Sequence, residues 1–406
     1  MKKFALNSAA RVFVIVFQLI NIKLYTNYLT ANELGVFFFL LAVSYSANAI
    51  LFVPLDYFQQ AKLLNFMTEF GGLRSLFVSN CKVVKSYLAV MFLIILVTSH
   101  FYYAYVSHVG LVMLLALALY IVQALRNTLN NLNHGNHVSI SFIQEAFVKV
   151  GLLYVLVDWM KPDASLLIIS WLVSLALTTI YLFIIANKHR IFSGDDEHCV
   201  SGKEVFSFAY PFSVGAVANW LQLQGYRLVL VPLGYAEIVG IFATLSGIGS
   251  AAIGAVSLIY GQQFTPKIYQ TYGKFTKTYL KGAFAAMVVV ALFLYVLGDF
   301  LVGLLTNRSF ITHSKLILFG VLTDSANLFV GALAIHISIT GSTKKIIASS
   351  ILGLVSMLVF FLLIYMGDAV TENTVGVPLL ISQWCVVGYM YWKFVKLPVT
   401  AKDSKN

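Results

Sequence analysis

Twelve apolar runs, each about 20 residues long, follow one another along the chain with only short breaks between them. Coiled as an α-helix, a run of that length matches the hydrocarbon thickness of a bilayer. The runs are continuous rather than alternating, which selects helices over the strands of a membrane barrel. In lipid the backbone must satisfy its own N–H and C=O groups, and a helix does so within one segment. The expected spans fall at about 4–25, 34–57, 83–106, 109–129, 138–157 and 165–187, then at about 205–232, 236–260, 280–305, 314–340, 345–366 and 374–395.

Composition closes off a soluble fold. Hydrophobic residues make up 60% of the chain and charged residues 11%, against roughly 25% charged residues in a soluble domain. The formal net charge of +11 would point to nucleic acid in a soluble protein. Here the basic residues sit at span ends, and they report topology instead; no nucleic-acid partner is expected. With the N-terminus inside, 20 of the 27 Lys and Arg fall on inner segments and five on outer ones, leaving Arg11 and Lys149 within spans. That bias predicts both termini in the cytoplasm and therefore an even number of crossings. The opening Met-Lys-Lys resembles a signal peptide, but Asn7 and Arg11 interrupt the apolar run and no small-residue cleavage site follows, so an uncleaved first helix is expected.

The most polar stretch, 188–204, lies midway with six spans on each side. The halves also resemble each other. A shift of 204 residues brings Gln18 onto Gln222, Lys23 onto Arg227 and Glu33 onto Glu237. Tyr57-Phe-Gln-Gln60 likewise matches Tyr260-Gly-Gln-Gln263. Ordered matches at equivalent positions argue for duplication. An even span count per half gives both copies the same orientation. The expected fold is an all-α polytopic membrane protein, with twelve transmembrane helices as two six-helix bundles related by a pseudo-two-fold along the membrane normal. Residues 1–190 form the first bundle, 191–203 a cytoplasmic linker, 204–396 the second bundle and 397–406 a cytoplasmic tail.

The first helix opens on Asn7, and a short turn leads to Glu33-Leu-Gly35. The second half repeats this as Tyr235-Ala-Glu-Ile-Val-Gly-Ile-Phe242, followed by the basic, aromatic Phe264-Thr-Pro-Lys-Ile-Tyr269. With the length and span count, these segments resemble the O-antigen (Wzx-type) flippases of the multidrug/oligosaccharidyl-lipid/polysaccharide exporter superfamily. The resemblance implies a multi-pass protein of the bacterial inner membrane. It implies transfer of an undecaprenyl-diphosphate-linked oligosaccharide, an O-antigen or related repeat unit, from the cytoplasmic to the periplasmic leaflet by alternating access. Membrane lipids, a polysaccharide polymerase and a chain-length regulator are the further partners it implies.

A charge inside the bilayer is costly unless it faces water or a partner, so intramembrane charges are the place to look for substrate contacts. Arg11 lies a turn and a half into the first helix; lining a cavity and snorkelling to headgroups both stay open. Glu145 and Lys149 stand at i and i+4 of one span, Glu first, which allows an intrahelical ion pair on a face turned to protein or water. If it lines a cavity, Glu145 is the better proton carrier. Arg126, at the inner end of its span before an Asn-rich turn, reads as a positive-inside anchor or a substrate contact. Lys23 and Arg227 are repeat-equivalent near outer ends and read as guides for an anionic headgroup or as snorkelling anchors. Asp324 stands with Asn327 in the tenth span and suits either ion coupling or a structural hydrogen bond. Asp56, after Pro54, reads as a helix-end residue. Gln18, Asn21, Asn219, Gln222 and Gln224 give the first and seventh spans polar faces suited to sugars or to interhelical bonding.

No cofactor is expected beyond a coupling ion, H+ or Na+. No Gly-rich phosphate loop with Lys and Ser/Thr is present. Cys81, Cys199 and Cys385 are far apart and without metal spacing, so free thiols are expected. His134 and His137 read as a solvated loop rather than metal ligands. Three functions compete. A lipid-linked oligosaccharide flippase comes first, because the candidate cavity charges lean positive. A multidrug or small-metabolite cation antiporter of the same fold is second. A membrane glycosyltransferase or O-antigen polymerase is disfavoured by the short outer loops.

Overall fold

The computed structural model describes the backbone of residues 2–101, 106–193, 200–339 and 344–396 and most of their side chains; those of 2–11 and 209–216 are among the side chains outside the description. Helices α1 (Lys2–Tyr28), α2 (Ala31–Ala47), α3 (Val53–Phe70), α4 (Arg74–Phe101), α5 (Val106–Asn131), α6 (Gly135–Val157) and α7 (Ala164–Lys188) precede the midpoint. Helices α8 (Gly202–Leu230), α9 (Ala236–Gln270), α10 (Thr276–Leu305), α11 (Ile317–Ile339), α12 (Lys344–Met366) and α13 (Gly376–Met390) follow it. Among the described residues, nine helices are long and apolar enough to cross a membrane, with a shorter apolar helix at Val12–Tyr28. Surface chemistry agrees with lipid as the solvent. Val296 is 75% exposed and Leu363 62%, as outward apolar positions should be in a bilayer.

The second expected span is α2 and α3 joined by a π-helical turn, Asn48–Phe52. The cause is local. Pro54, in the first turn of α3, brings no N–H to the helical ladder, and the wider turn absorbs the interruption. Asn48 holds the turn by donating to the Ala116 carbonyl of α5 at 3.2 Å. α3 then runs on past the expected end at 57 and stops at Gly71, whose φ of 66° closes it in the left-handed conformation. α9 similarly extends ten residues beyond its expected end at 260. A 3-10 helix, Arg308–Leu316, fills the connection before α11, and Asn307 caps it through Ser309 N.

Two compact units emerge: Met1–Asn21 with Val36–Val217, and Ile22–Gly35 with Ala218–Asn406. In the first, α7 packs on α5 and α6. Its inward side carries Ser170, Ser174 and Thr178, whose hydroxyls bond back to carbonyls one turn earlier. Small, self-satisfied residues let neighbouring helices approach closely in lipid. The start of the expected linker is held to this unit. Leu73 N donates to Ile191 O at 2.9 Å and Ser193 Oγ to Gly71 O at 3.0 Å. The acidic residues 195–197 lie outside the described residues.

In the second unit, α11 packs on α9, α10 and α13. Gly249 and Gly320 make the α9–α11 crossing possible. A Cβ on Gly249 would overlap the Ile317 carbonyl, and one on Gly320 the Ser246 carbonyl. The segment 22–35 is built into this unit. Lys23 Nζ donates to Thr306 O at 2.6 Å and to Gly303 O at 3.3 Å, and Asn307 N donates to Thr26 Oγ1 at 3.1 Å.

Candidate functional site

Polar side chains gather at two places in the first unit and two in the second. The densest cluster of the first unit lies between α5, α6 and α7. Arg126 Nη2 meets Glu145 Oε2 at 2.8 Å. The same guanidinium donates through Nε to Ser141 Oγ at 2.9 Å and through Nη2 to Ser141 O at 3.0 Å, and it lies 3.8 Å from the Phe142 ring centre. Glu145 Oε1 accepts from Trp171 Nε1 at 3.0 Å. Lys149 Nζ sits 3.5 Å from the centre of the Trp171 ring, and Tyr45 meets that ring edge-on at 6.0 Å.

The local expectation for Glu145 and Lys149 therefore widens. The carboxylate reaches across helices to Arg126 and Trp171, and the ammonium stacks on the indole face. A cation over a π face is stabilised most strongly where water is scarce, and the Glu145 charge acts on the same ammonium. Arg126 is a buried partner of Glu145 rather than a headgroup anchor, with its side chain 10% exposed. A hydrogen-bonded guanidinium suits a low-dielectric setting.

The second polar locus of the first unit surrounds Asp56. The reading of Asp56 as a helix-end residue is corrected: α3 continues for 14 residues beyond it, and the side chain is buried and bonded by Gln60 of α3 and Asn127 of α5.

In the second unit, a cavity of about 110 Å³ is lined by Gln224, Arg227, Ser246, Ser250, Thr323 and Asp324, among others. Arg227 Nε donates to Tyr226 Oη at 2.8 Å. Asp324 accepts from Asn327 Nδ2 at 3.2 Å and bonds Ser250. Gln224 Oε1 is buried here without a hydrogen-bond partner. Thus Arg227 and Asp324, unrelated in the sequence, line one cavity. Lys23 differs from its repeat mate Arg227: its ammonium caps the final carbonyls of α10, where the helix dipole favours a cation. Gln222 acts as interhelical glue, donating to Ser382 Oγ at 3.2 Å. Arg11 lies on α1, but its side chain, like that of Asn219, is outside the described residues.

A larger groove of about 600 Å³ runs between α10, α11 and α13. Lys277 and Lys281 stand along it, and Phe284, Phe329, Trp384 and Tyr391 supply apolar wall. Phe329 and Trp384 pack against each other at 5.4 Å. In the sequence the two lysines read only as topology signals. Their i, i+4 spacing, with Phe284 at i+7, is the available sign of a shared helix face.

Among the described residues, no group of His, Cys, Asp and Glu is arranged to hold a metal ion. His134 stacks on His189 with ring centres 3.9 Å apart, and His137 Nδ1 lies 3.0 Å from Tyr181 Oη.

No protein-family model matches the chain, and no curated protein matches it in sequence. Solved structures do match it. An inward-facing multidrug resistance MATE family transporter of the MOP superfamily aligns with TM-score 0.63 and 12% identity, over 98% of this chain and 100% of that one. The lipid II flippase MurJ, in an inward closed conformation, aligns with TM-score 0.63 and 12% identity, over 96% and 86%. The eukaryotic MATE transporter AtDTX14 aligns with TM-score 0.62 and 14% identity, over 98% and 95%. The chain is a multi-pass membrane protein with the all-α, twelve-helix, two-bundle fold of these proteins.

Proposed function

We propose that the chain is a transporter that flips a lipid-linked anionic oligosaccharide, of the undecaprenyl-diphosphate class, from the inner to the outer leaflet of a bacterial cytoplasmic membrane. The groove of the second unit carries this reading. It sets the ammonium groups of Lys277 and Lys281 beside an apolar and aromatic wall. A diphosphate joined to a polyprenyl chain has that same division, charge at one end and hydrocarbon at the other. The basic bias puts these lysines on the cytoplasmic side, where such a substrate is made. The MurJ likeness supports a flippase within this fold, and the MATE likeness supports a transporter in general.

A cation antiporter is the second reading. It calls for a carboxylate open to a cationic substrate. Glu145 is engaged by Arg126 and Trp171, and Asp324 shares its cavity with Arg227. Both arrangements favour the anionic substrate.

The test is deletion of the gene in its own host, with lipid-linked oligosaccharide and surface polysaccharide measured together. Deletion is expected to leave undecaprenyl-diphosphate-linked oligosaccharide on the inner leaflet and to stop surface display. The paired change Lys277→Gln, Lys281→Gln should reproduce the defect at matched membrane levels. Normal surface polysaccharide in the deletion strain would overturn the function. Full export by the paired variant would remove the groove from it.

A further inference from the structure

Past α8, the acidic residues keep to one side of the chain's topology. Glu237 opens α9, Asp299 lies near the end of α10, and Asp368 and Glu372 stand in the connection between α12 and α13. All are outer positions by the basic bias, and Asp324 lies within α11. The inner segments past α8 carry eight lysines, from Lys267 to Lys396, and no Asp or Glu. The inner segments before them are mixed. Glu69 falls between Lys62 and Arg74, and Asp195, Asp196, Glu197 and Glu204 accompany Lys188, Arg190 and Lys203. Glu204 Oε1 lies 4.0 Å from Lys62 Nζ. Orientation needs only an excess of basic residues on inner loops, and the mixed segments already supply one. The uninterrupted positive charge past α8 is more than topology asks for.

Three of these lysines border the groove that Lys277, Lys281 and Tyr391 line. Lys267 Nζ sits 5.1 Å from the Phe264 ring centre and 5.7 Å from that of Phe275, the residue before α10 begins. Lys274 stands beside it on the turn between α9 and α10. Lys393 follows Tyr391 by two residues, and its Nζ donates to Tyr389 Oη at 2.7 Å. All three are exposed. A ring or hydroxyl steadies an ammonium without cancelling its charge. The turn that presents Lys267 and Lys274 is fixed. Gly273 has a φ of 81°, and a Cβ on it would overlap the His336 ring. His336 Nδ1, on α11, lies 3.2 Å from both Gly273 O and Thr276 Oγ1. Exposed aromatics of the kind found at headgroup level share these segments: Tyr272 is 81% exposed, Trp392 56% and Tyr269 53%.

We propose that this surface of the second unit binds the headgroups of anionic phospholipids of the inner leaflet, of the phosphatidylglycerol type, through Lys267, Lys274 and Lys393. Lysines near a membrane attract anionic headgroups, and with no carboxylate on these segments that attraction is undiminished. Lysine is a point charge on a flexible stem, which suits a phosphate that slides and turns in the leaflet. An acidic protein would meet the same charge. The exposed tyrosines and tryptophan favour lipid, because their amphipathic rings belong where headgroups meet hydrocarbon. The mixed inner segments before α8 are not expected to share this preference. The inference concerns the border of the groove, leaves Lys277 and Lys281 aside, and does not depend on which substrate the chain moves.

Native mass spectrometry of the full-length protein in detergent, titrated with phosphatidylglycerol or with phosphatidylcholine, gives the test. The wild type is expected to bind phosphatidylglycerol about tenfold or more tightly than phosphatidylcholine. That preference should shrink as ionic strength rises. Changing Lys267, Lys274 and Lys393 together to Gln should bring phosphatidylglycerol down to the phosphatidylcholine level. Changing the same three to Arg should keep the preference, since the charge survives. Changing Lys62, Lys82 and Lys85 to Gln, on the mixed inner segments, should keep it too. Wild-type affinity in the Lys267, Lys274, Lys393→Gln protein would overturn the proposal, as would an equal loss in the Lys62, Lys82, Lys85→Gln protein. A wild type indifferent to the headgroup would also overturn it and leave the surface to an acidic protein. Should the triple Gln variant fail to fold, Lys267→Gln and Lys393→Gln alone decide the matter, each expected to lose a few-fold of the preference.

Discussion

Gly35 and Gly240 lie against each other's helices. A Cβ on Gly240 would overlap the Ala31 carbonyl and stand 2.9 Å from the Gly35 amide, while one on Gly35 would overlap the Ala236 carbonyl. The relation is reciprocal, and the sequence repeat underlies it. Ala31-Asn-Glu-Leu-Gly35 opens α2, and Ala236-Glu-Ile-Val-Gly240 opens α9. Each is a small-xxx-small pattern, which lets two helix backbones approach in lipid. Both stretches belong to the second unit.

Adding a methyl at this crossing should therefore be costly. Gly35→Ala or Gly240→Ala is expected to destabilise the protein by about 1–3 kcal/mol, the usual range for overpacking a tight contact. At Gly254, farther along α9, an added Cβ would meet nothing within 4 Å. Gly254→Ala should be neutral or stabilise by up to about 1 kcal/mol through helix propensity. Unfolding temperatures of the three variants in one detergent provide the comparison. Equal temperatures for Gly35→Ala and Gly254→Ala would mean that the crossing is loose.

Topology yields a second prediction. The basic bias assigns residue 203 to the cytoplasm and residue 308 to the opposite side. Reporter fusions after Lys203 and after Arg308 should accordingly signal cytoplasm and periplasm. A periplasmic signal at 203 would break the arrangement of six spans on each side of the midpoint.

The histidines at the α5–α6 turn make stability depend on pH. Burial, joined by the neighbouring His189 and His137, holds His134 below the ordinary histidine range. A group depressed in this way contributes stability that is present above its unfolded value and is lost as pH falls through its folded value. The window therefore opens below about pH 6.5. Unfolding temperature is expected to fall on acidification through that window. His189→Gln, which removes the nearest ring and its charge, should flatten the fall. Parallel slopes for the wild type and His189→Gln would assign the pH dependence to other groups.

The all-α membrane fold is legible in the sequence because the length of an apolar run is a property of one chain segment at a time. What is not legible depends on neighbours. The sequence places Glu145 and Lys149 on one helix, but the guanidinium that meets Glu145 comes from α5, across the turn at 132–134. Pro54 suggests a helix end at Asp56. That buried carboxylate is bonded by Asn127, from another helix, which no local pattern ties to it. Lys277 and Lys281 resemble topology markers until α13 and the residue after it bring Trp384 and Tyr391 beside them. Repeat equivalence also misleads at Lys23, which caps α10 while Arg227 lines a cavity.

The Arg126–Glu145 pair allows the sharpest measurement. Their side chains are 10% and 17% exposed, so neither charge is well solvated when alone. Glu145→Gln leaves the guanidinium with Ser141 but without its counter-charge, and Arg126→Met leaves the carboxylate with the indole N–H and the more distant charge of Lys149. Breaking a buried pair from one side costs about 3–5 kcal/mol. Removing both charges spares each partner that isolation, so Arg126→Met with Glu145→Gln should be more stable than either single variant. Lys149→Ala is the contrast. It gives up a contact with the Trp171 ring worth about 0.5–2 kcal/mol, together with its electrostatic attraction to Glu145, and leaves the Arg126–Glu145 contact in place. Unfolding temperatures of the four proteins form a double-mutant cycle with one outside control. Additive losses in the double variant would mean that Arg126 and Glu145 are each solvated independently, and that the cluster is not the desolvated unit its geometry describes.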